Sequence, residues 1–158
     1  MDIMFEQRGV RFNYRCAGVA VHNDQVLLHR FVGDDYWSLP GGRVEFSELS
    51  AGALKREMME ELELEVSVKR LLWAVETFFE FEGTPFHELG FYFLMEFEPE
   101  SGIYERRESF TGYDGTLKLE FRWYDVNELD GIELKPEFLK QSLRQIPSTT
   151  QHIVHRDG

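Results

Sequence analysis

A glycine turn followed by a regularly spaced acidic segment constrains this 158-residue chain more than any other feature. Pro40-Gly41-Gly42 precedes residues 48–62, which lack proline and are rich in the helix formers Leu, Ala, Glu, Lys, Arg and Met. Apolar residues recur there every four positions, along one face of a helix: Leu54, Met58 and Leu62. The spacing therefore predicts a helix over residues 48–62, with Ser47 as its N-cap and Glu48 in its first turn.

Three carboxylates share another face of the predicted helix because they fall at i, i+3 and i+4: Glu57, Glu60 and Glu61. Clustered carboxylates repel one another and disfavour full ionisation, and Arg56 cannot neutralise all three. A hard cation relieves this repulsion, and Mg²⁺ suits the cluster best because it accepts one or two carboxylates together with water and phosphate oxygens. The three carboxylates alone fit a solvated acidic face equally well. The glycine turn, Glu48 and Arg56 at their offsets favour a functional site.

Residues 42–64 resemble the Nudix box, Gly-x5-Glu-x7-Arg-Glu-(aliphatic)-x-Glu-Glu-x-Gly-(aliphatic), and residues 37–42 are similar to its usual approach. Every position fits except Glu63, where the box has glycine. That glycine suits a left-handed residue that closes the helix, and a glutamate there costs roughly 1–2 kcal/mol if the backbone stays left-handed. We expect a left-handed exit, since residues 64–68 already alternate like a strand.

The resemblance implies a role for each box residue of this chain. Four residues would ligate Mg²⁺ or Mn²⁺: Glu57, Glu60 and Glu61 through their carboxylates and Gly42 through its carbonyl. Glu48 and Arg56 would pair and orient the loop against the helix. Glu57 or a later glutamate, such as Glu60, would act as the base toward the attacking water.

A fourth carboxylate is expected outside the box. Members of the Nudix family often carry a glutamate just before a tryptophan close to the catalytic helix, and this favours Glu120, which precedes Trp123 in an alternating run. Glu88 at a strand end, and Glu105 and Glu108 in a loop, stay open as alternatives.

Other residues carry weaker signals. Four aromatic residues are candidates for stacking on a base, although most aromatics in such segments are core: Tyr36, Phe79, Phe81 and Phe86. His152 and His155 are spaced like metal ligands, but they fall in a predicted tail, where a solvated end is favoured. Cys16 is predicted to be buried in a strand rather than to act as a nucleophile.

The remaining elements predict a mixed α/β domain. Strands are predicted over residues 17–22, 25–31, 37–39, 65–81, 88–97 and 117–126. Asn23-Asp24 is a good hairpin turn, residues 99–115 suggest an irregular loop, and Pro136 suits the first turn of a helix that runs to about residue 144. This order fits a mixed sheet covered by helices, as in the α/β/α sandwich that the resemblance implies. We expect one domain over residues 1–158, with a tail from about residue 147.

The composition bounds the setting of such a site. A net charge of -12 argues against broad nucleic-acid binding, which needs clustered Lys and Arg. No apolar run approaches the ~20 residues that span a bilayer, and the N-terminus lacks the pattern of a signal peptide. Cys16 is the only cysteine and cannot form an internal disulfide, so we expect a cytoplasmic protein without a membrane partner. A small nucleoside diphosphate derivative is the expected partner, and a homodimer is left open.

The function that the resemblance implies is Mg²⁺-dependent hydrolysis of the pyrophosphate bond in a nucleoside diphosphate linked to another moiety. Nucleotide sugars such as ADP-ribose and nucleoside triphosphates both stay open as substrates. The alternative is a catalytically silent Nudix-like sensor that binds a nucleotide. Silent members usually lose a box carboxylate, whereas this chain keeps all four: Glu48, Glu57, Glu60 and Glu61.

Overall fold

The computed structural model describes residues 1–156, which form two β-sheets between two helices. The first sheet contains β1 Met4–Gln7, β2 Val10–Val19, β5 Gly41–Arg43, β6 Val66–Phe81, β7 Thr84–Phe97 and β10 Gln151–Arg156. The second contains β3 Val21–His22, β4 Gln25–Phe31, β8 Phe110–Asp114 and β9 Leu117–Asp125. The helices are α1 Ser50–Leu62 and α2 Leu139–Ser142. The predicted α/β/α sandwich is confirmed.

The first sheet is mixed, also as predicted. Its strand order is β1-β2-β7-β6-β10, and β5 also pairs with β2. The pairs β2–β7 and β6–β10 are parallel, and the other pairs are antiparallel. The second sheet is antiparallel throughout, in the order β3-β4-β9-β8.

Apolar clusters fill the space on either side of the two sheets. On one side, Leu54 and Met58 of α1 are fully buried against strands of both sheets, and Leu62 is partly buried beside them. The predicted apolar stripe is therefore confirmed. On the other side, Leu139 of α2 packs in a cluster with Trp73 and the other large residues of the first sheet. Among residues 1–156, neither helix is long and apolar enough to cross a membrane.

The start of α1 differs from the prediction. The N-cap is Leu49, without a side-chain hydrogen bond, and Ser47 has a φ of 66° in the preceding turn. The predicted Ser47 cap is wrong because the chain first closes a turn in which the Glu48 amide donates to the Glu45 carbonyl and the Glu48 carboxylate accepts from the Glu45 amide. Glu48 therefore lies outside the helix, where its carboxylate also reaches Arg56.

The end of α1 confirms the predicted left-handed exit. Glu63 has φ 58° and ψ 33°, and its amide donates to the Met59 carbonyl. Strand β6 begins three residues later, at Val66. A non-glycine residue in this conformation carries a steric cost between its Cβ and the backbone.

Two hairpin turns connect neighbouring strands, and the first lies where the sequence predicts it. Asn23 and Asp24 both have positive φ, 50° and 61°, between β3 and β4. Glu82 and Gly83 do the same, at 50° and 78°, between β6 and β7. Strand β7 begins at Thr84 rather than at the predicted residue 88, because the two-residue turn returns the chain directly into register with β6.

The segment predicted as a tail is partly a strand. Residues 151–156 form β10, which pairs in parallel with the exposed edge of β6. His152 is bonded to Glu76 at 2.7 Å between Nε2 and Oε2, and the His155 ring packs 5.9 Å from that of Phe138. The alternating side chains of this segment suit an edge strand, so the predicted tail is wrong for residues 151–156, although the His152 side chain is 62% exposed.

Three other segments also depart from the prediction. Residues 99–115 contain the 3-10 turns Pro99–Ser101 and Ile103–Glu105 and then strand β8 rather than a continuous loop. Residues 37–39 make only isolated bridges, from Trp37 to Leu134 and from Ser38 to His29. The second helix covers only Leu139–Ser142, since the residues before it form 3-10-type hydrogen bonds.

Candidate active site

A polar cavity of about 510 Å³, called the carboxylate cavity below, lies beside α1, β5 and the end of β4. It brings together all four predicted metal ligands: Gly42, Glu57, Glu60 and Glu61. Other charged or titratable residues line it as well, among them Asp2, Arg15, His29, Glu45, Arg56 and Asp114.

The glycine turn fixes the mouth of this cavity by close packing. Strand β5 pairs with β2 so that Gly42 lies opposite Cys16. A Cβ on Gly42 would overlap the Glu57 carboxylate, and a Cβ on Gly41 would overlap the Cys16 carbonyl. Both positions therefore need glycine for space, and the Gly42 backbone lies directly against Glu57.

The three helix carboxylates lie at different depths. The exposed fraction of the side chain is 56% for Glu60, 12% for Glu57 and 3% for Glu61. The helical spacing places Glu57 and Glu61 side by side and Glu60 toward the rim. One face of the helix therefore carries one solvent-exposed carboxylate, Glu60, and two largely buried ones, Glu57 and Glu61.

Arg56 holds the loop and the helix together. Its Nε lies 2.7 Å from Oε2 of Glu48 and 3.0 Å from Oε2 of Glu45. Its other nitrogens contact Oε1 of Glu57 at 2.8 Å and Oε2 of Glu60 at 3.3 Å. The predicted Arg56–Glu48 pair is present, and Arg56 also contacts three further carboxylates, those of Glu45, Glu57 and Glu60. Hydrogen bonding to Arg56 lowers the pKa of Glu48.

Burial dominates the electrostatics of the inner pair. It raises the pKa of both Glu57 and Glu61, and the adjacent Glu61 carboxyl raises that of Glu57 further. The pair therefore retains a proton near neutral pH. Burial also lowers the pKa of His29 to about 3, so this imidazole is neutral.

Two buried side-chain atoms of the cavity, one of Glu61 and one of His29, lack a hydrogen-bond partner in the described part of the chain. Oε1 of Glu61 lies 3.2 Å from Nδ1 of His29, but the contact is off hydrogen-bond geometry, so among residues 1–156 neither atom has a hydrogen-bond partner. An unpaired buried acceptor is costly. A cation at this place would remove that cost.

The donor set fits a hard divalent cation. Every predicted ligand offers oxygen, which Mg²⁺ and Mn²⁺ prefer. Within the described part of the chain, no three His, Cys, Asp or Glu side chains already converge as a metal site, because Arg56 draws Glu57 and Glu60 toward itself.

Glu120, the predicted fourth carboxylate, is not among the residues that line the carboxylate cavity. It lies opposite Arg30 across β4 and β9 and accepts from Arg30 Nε at 2.9 Å. Arg30 does line the cavity, and its guanidinium lies over Trp37, 4.4 Å from the ring centroid. Glu120 therefore orients a cavity residue, and a catalytic role for it stays a prediction. Of the residues described here, Asp114 at the end of β8 supplies a carboxylate that sequence reasoning missed.

Comparison with protein families was made with this geometry in view. The model of the NUDIX domain matches residues 13–146, most of the chain. The chain belongs to the Nudix family. An RNA pyrophosphohydrolase from Ruthia magnifica subsp. Calyptogena magnifica is 40% identical over 63 residues, which cover 39% of this chain and 34% of that protein. The similarity to this relative therefore extends over about a third of its length.

Solved structures share the Nudix fold with this chain at low identity. A NUDIX hydrolase from Nitrosomonas europaea has a TM-score of 0.60 and 17% identity, covering 92% of this chain and 79% of its own. An ADP-ribose pyrophosphatase from Streptococcus suis 89-1591 has a TM-score of 0.56 and 13% identity, covering 92% of this chain and 98% of its own. These likenesses show the fold alone.

A second cavity of this Nudix domain, called the aromatic cavity below, has a volume of about 160 Å³. Its aromatic lining includes three of the four predicted stacking residues and one that was missed: Tyr36, Phe79, Phe81 and Tyr92. Phe86 does not line it and instead stacks on Phe79, with ring centroids 5.0 Å apart. Glu88 lines the aromatic cavity and not the carboxylate cavity. The structure therefore does not place it beside the candidate metal ligands.

The two cavities of the Nudix domain adjoin. Three residues line both of them: Arg15, Tyr36 and Ser38. Arg15 donates from Nη2 to the Leu39 carbonyl at 2.8 Å, which anchors its guanidinium at the junction. Sequence reasoning missed Arg15, because a single arginine inside a β-like run carries no spacing signal.

Proposed function

We propose that the chain is a Mg²⁺-dependent hydrolase that cleaves the pyrophosphate bond of a nucleoside diphosphate linked to another moiety. The observation that carries this proposal is the meeting of Gly42, Glu57, Glu60 and Glu61 at one cavity, with a buried acceptor of Glu61 left unpaired. Membership of the Nudix family supports it.

The residues of the carboxylate cavity have three proposed roles: metal binding, proton transfer and positioning of the loop. Gly42, Glu57, Glu60 and Glu61 would hold Mg²⁺, or Mn²⁺ in its place. A bound divalent cation offsets the charge of the diphosphate and lowers the pKa of water. Either Glu57 or Glu60 accepts the proton from the attacking water, since both carboxylates line the cavity. Arg56 and Glu48 fix the loop against α1 through their direct pair.

The shape of the paired cavities supports a substrate with two unlike ends. The carboxylate cavity suits a cation-bound diphosphate, and the aromatic cavity suits a planar ring. Arg15 at the junction places a positive charge between the two. Nucleotide sugars such as ADP-ribose and nucleoside triphosphates both meet this description, and a small molecule is favoured over long RNA by the net charge of -12.

The setting follows from the same residues. Cys16 is buried as a free thiol that donates to the Gly42 carbonyl at 3.4 Å, and burial raises its pKa to about 11. A free thiol beside the site is compatible with a reducing compartment, so we place the enzyme in the cytoplasm. A homodimer stays a prediction.

A substrate panel tests the proposal. The purified protein is incubated with Mg²⁺ and a set of nucleoside diphosphate sugars, dinucleotides and nucleoside triphosphates, and release of phosphate and nucleoside monophosphate is measured. Glu61→Gln serves as the inactive control, and Glu65→Gln, a change at a nearby glutamate that does not line either cavity, as the matched active one. Binding of a nucleotide without turnover of any panel member would favour the silent sensor instead.

A further inference from the structure

The floor of the aromatic cavity carries a carboxylate that the proposed chemistry does not use. Glu88 lies on β7 and lines this cavity, between Asn13 of β2 and Thr77 of β6, its direct neighbours in the sheet. It lies two residues along β7 from Gly90, the residue opposite Arg15, and so on the same face of the sheet as Gly90. The cavity thus places a carboxylate on the far side of the arginine from the metal-ligand candidates.

Glu88 is held in place from one side only. Its Oε2 accepts from Nδ2 of Asn13 at 3.0 Å, and Asn13 itself is 4% exposed. Among residues 1–156, Oε1 of Glu88 takes part in no side-chain hydrogen bond, and no ion pair within 4.0 Å joins Glu88 to Arg15 or Lys135. An ionised carboxylate has about four acceptor sites, so a fixed carboxylate with free capacity faces the cavity.

The walls of the cavity define the kind of group that would meet this carboxylate. Tyr36, Phe79 and Tyr92 offer aromatic surface, which favours a planar ring. An ionised carboxylate only accepts hydrogen bonds and repels phosphate, so the ring must present N–H donors to it. Since Arg15 lines both this cavity and the carboxylate cavity, the arrangement suits one molecule that carries both a ring and phosphates.

We propose that Glu88 selects a substrate whose base presents two adjacent N–H donors, as the Watson–Crick edge of guanine does. Guanine offers a ring N–H beside an exocyclic amino group, which matches the two oxygens of one carboxylate in the way that a guanidinium fork does. Adenine and cytosine place a ring acceptor next to their amino group, and that acceptor would face Glu88 and repel it. Hypoxanthine keeps the ring N–H but lacks the amino group. The inference rests on the proposed function for the position of the phosphates.

Binding of nucleoside monophosphates tests the inference without any turnover, because they contain no pyrophosphate bond. Calorimetric titration of the metal-free protein with GMP, IMP and AMP should show GMP binding at least about 10-fold more tightly than the other two, the scale of one bidentate base contact. Equal affinities, a preference for AMP, or no GMP binding at millimolar concentration would each overturn the inference.

Two matched variants locate the preference. Glu88→Gln keeps the shape of the side chain but replaces one acceptor with a donor, so the preference for GMP over IMP should fall to about 3-fold or less, with a thermal melt confirming that the variant is folded. Glu80→Gln removes the same charge from an exposed glutamate at the rim of the same cavity and should leave the preference intact. An unchanged preference in Glu88→Gln, or an equal loss in Glu80→Gln, would overturn the assignment to Glu88.

The outcome separates this inference from the proposed hydrolysis. Selective GMP binding by a protein that hydrolyses nothing would support the base selection and leave the proposed chemistry wrong. Hydrolysis of guanosine and adenosine diphosphate sugars with the same kcat/KM would overturn the base selection alone.

Discussion

The carboxylate cavity and the aromatic cavity are assembled in opposite ways. The proposed ligands of the carboxylate cavity all come from residues 42–61, one turn and one helix. The aromatic cavity draws its lining from positions as distant as Arg15 and His155. The helical repeat brings the proposed ligands together within a short segment. The lining of the aromatic cavity depends instead on the register of four strands. The proposed chemistry is thus encoded by local spacing, and the proposed selectivity by long-range pairing.

The contrast between the two cavities would be wrong if the proposed ligands of the carboxylate cavity were not needed for hydrolysis. Loss of that activity is the largest effect that we expect. Chelation with EDTA should abolish turnover of the best substrate, and Glu60→Gln and Glu61→Gln should each lower turnover at least ~10²-fold, since lost charge stabilisation in the transition state costs about that much. Both variants should stay folded, because each removes a charge from a repulsive cluster. Rates and thermal melts on the same samples measure this.

Glu65→Gln is the control, because it changes a glutamate near the helix end outside the carboxylate cavity. Rates near that of the unsubstituted protein for Glu60→Gln and Glu61→Gln would leave only a solvated acidic face. Full activity after exhaustive chelation would exclude the metal mechanism.

The carboxylate cavity could be predicted from the sequence because most of its proposed ligands lie on one helix and follow the helical repeat. The spacing of Leu54 and Met58 identified the buried face, and the spacing of Glu57 and Glu61 placed two carboxylates together on another. The start of the helix could not be predicted, because the turn ahead of it is closed by Glu48 reaching back to the Glu45 amide. That is a contact between side chain and backbone that propensities do not describe.

The second largest effect tests whether Arg56 holds the loop that carries Glu45 and Glu48 against α1. Arg56→Ala should lower the free energy of unfolding by about 2–3 kcal/mol, the scale of a charged hydrogen bond removed from a partly buried partner. Its side chain is 25% exposed, and it contacts Glu45, Glu48, Glu57 and Glu60. Denaturant unfolding of this variant and of Lys55→Ala, an exposed neighbour on the helix, gives the comparison. Equal midpoints for the two variants would show that the loop is held in another way.

The aromatic cavity could not be predicted because its residues become neighbours only after the strands pair. Thr77 meets Glu88 through the β6–β7 hairpin, and His155 meets Thr77 through β10, which the sequence had suggested to be a tail. Three of the aromatic candidates, Tyr36, Phe79 and Phe81, line this cavity, whereas Phe86 stacks on Phe79 from outside it. Glu120 was predicted as a fourth carboxylate by analogy, and cross-strand pairing brings it to Arg30.

A smaller effect distinguishes the two cavities by pH. Burial raises the folded-state pKa of Glu57 and Glu61, so the stability that their retained proton contributes is present at low pH and is lost as pH rises through the folded-state pKa. His29 acts with the opposite sign, but only below its ordinary pKa of 6.5. Between about pH 7 and pH 8.5 the metal-free protein should therefore lose stability, and Mg²⁺ should stabilise it more at the higher pH.

Thermal melts at both pH values, with EDTA or Mg²⁺, measure this effect. Glu61→Gln should flatten the pH dependence, because it removes one of the two buried carboxyls that cause it. A melting temperature of the metal-free protein that is constant or rises over this range would contradict the shared proton.

The smallest effect lies at Glu63, where the chain departs from the Nudix box. The residue is left-handed, with φ 58° and ψ 33°, and its carboxylate stands at the negative end of α1. Glu63→Gly should therefore raise the free energy of unfolding by roughly 1 kcal/mol, because glycine adopts this conformation without a steric cost. Turnover should change little, since Glu60 and Glu61 keep their places on the preceding turn. Denaturant midpoints of three variants separate the causes. Glu63→Asn should also stabilise, because asparagine tolerates the left-handed region, whereas Glu63→Ala removes only the charge and keeps the Cβ. An equal gain in all three variants would assign the whole effect to the helix dipole, because each of them removes the charge. A loss with glycine would mean that the helix continues through residue 63 in solution.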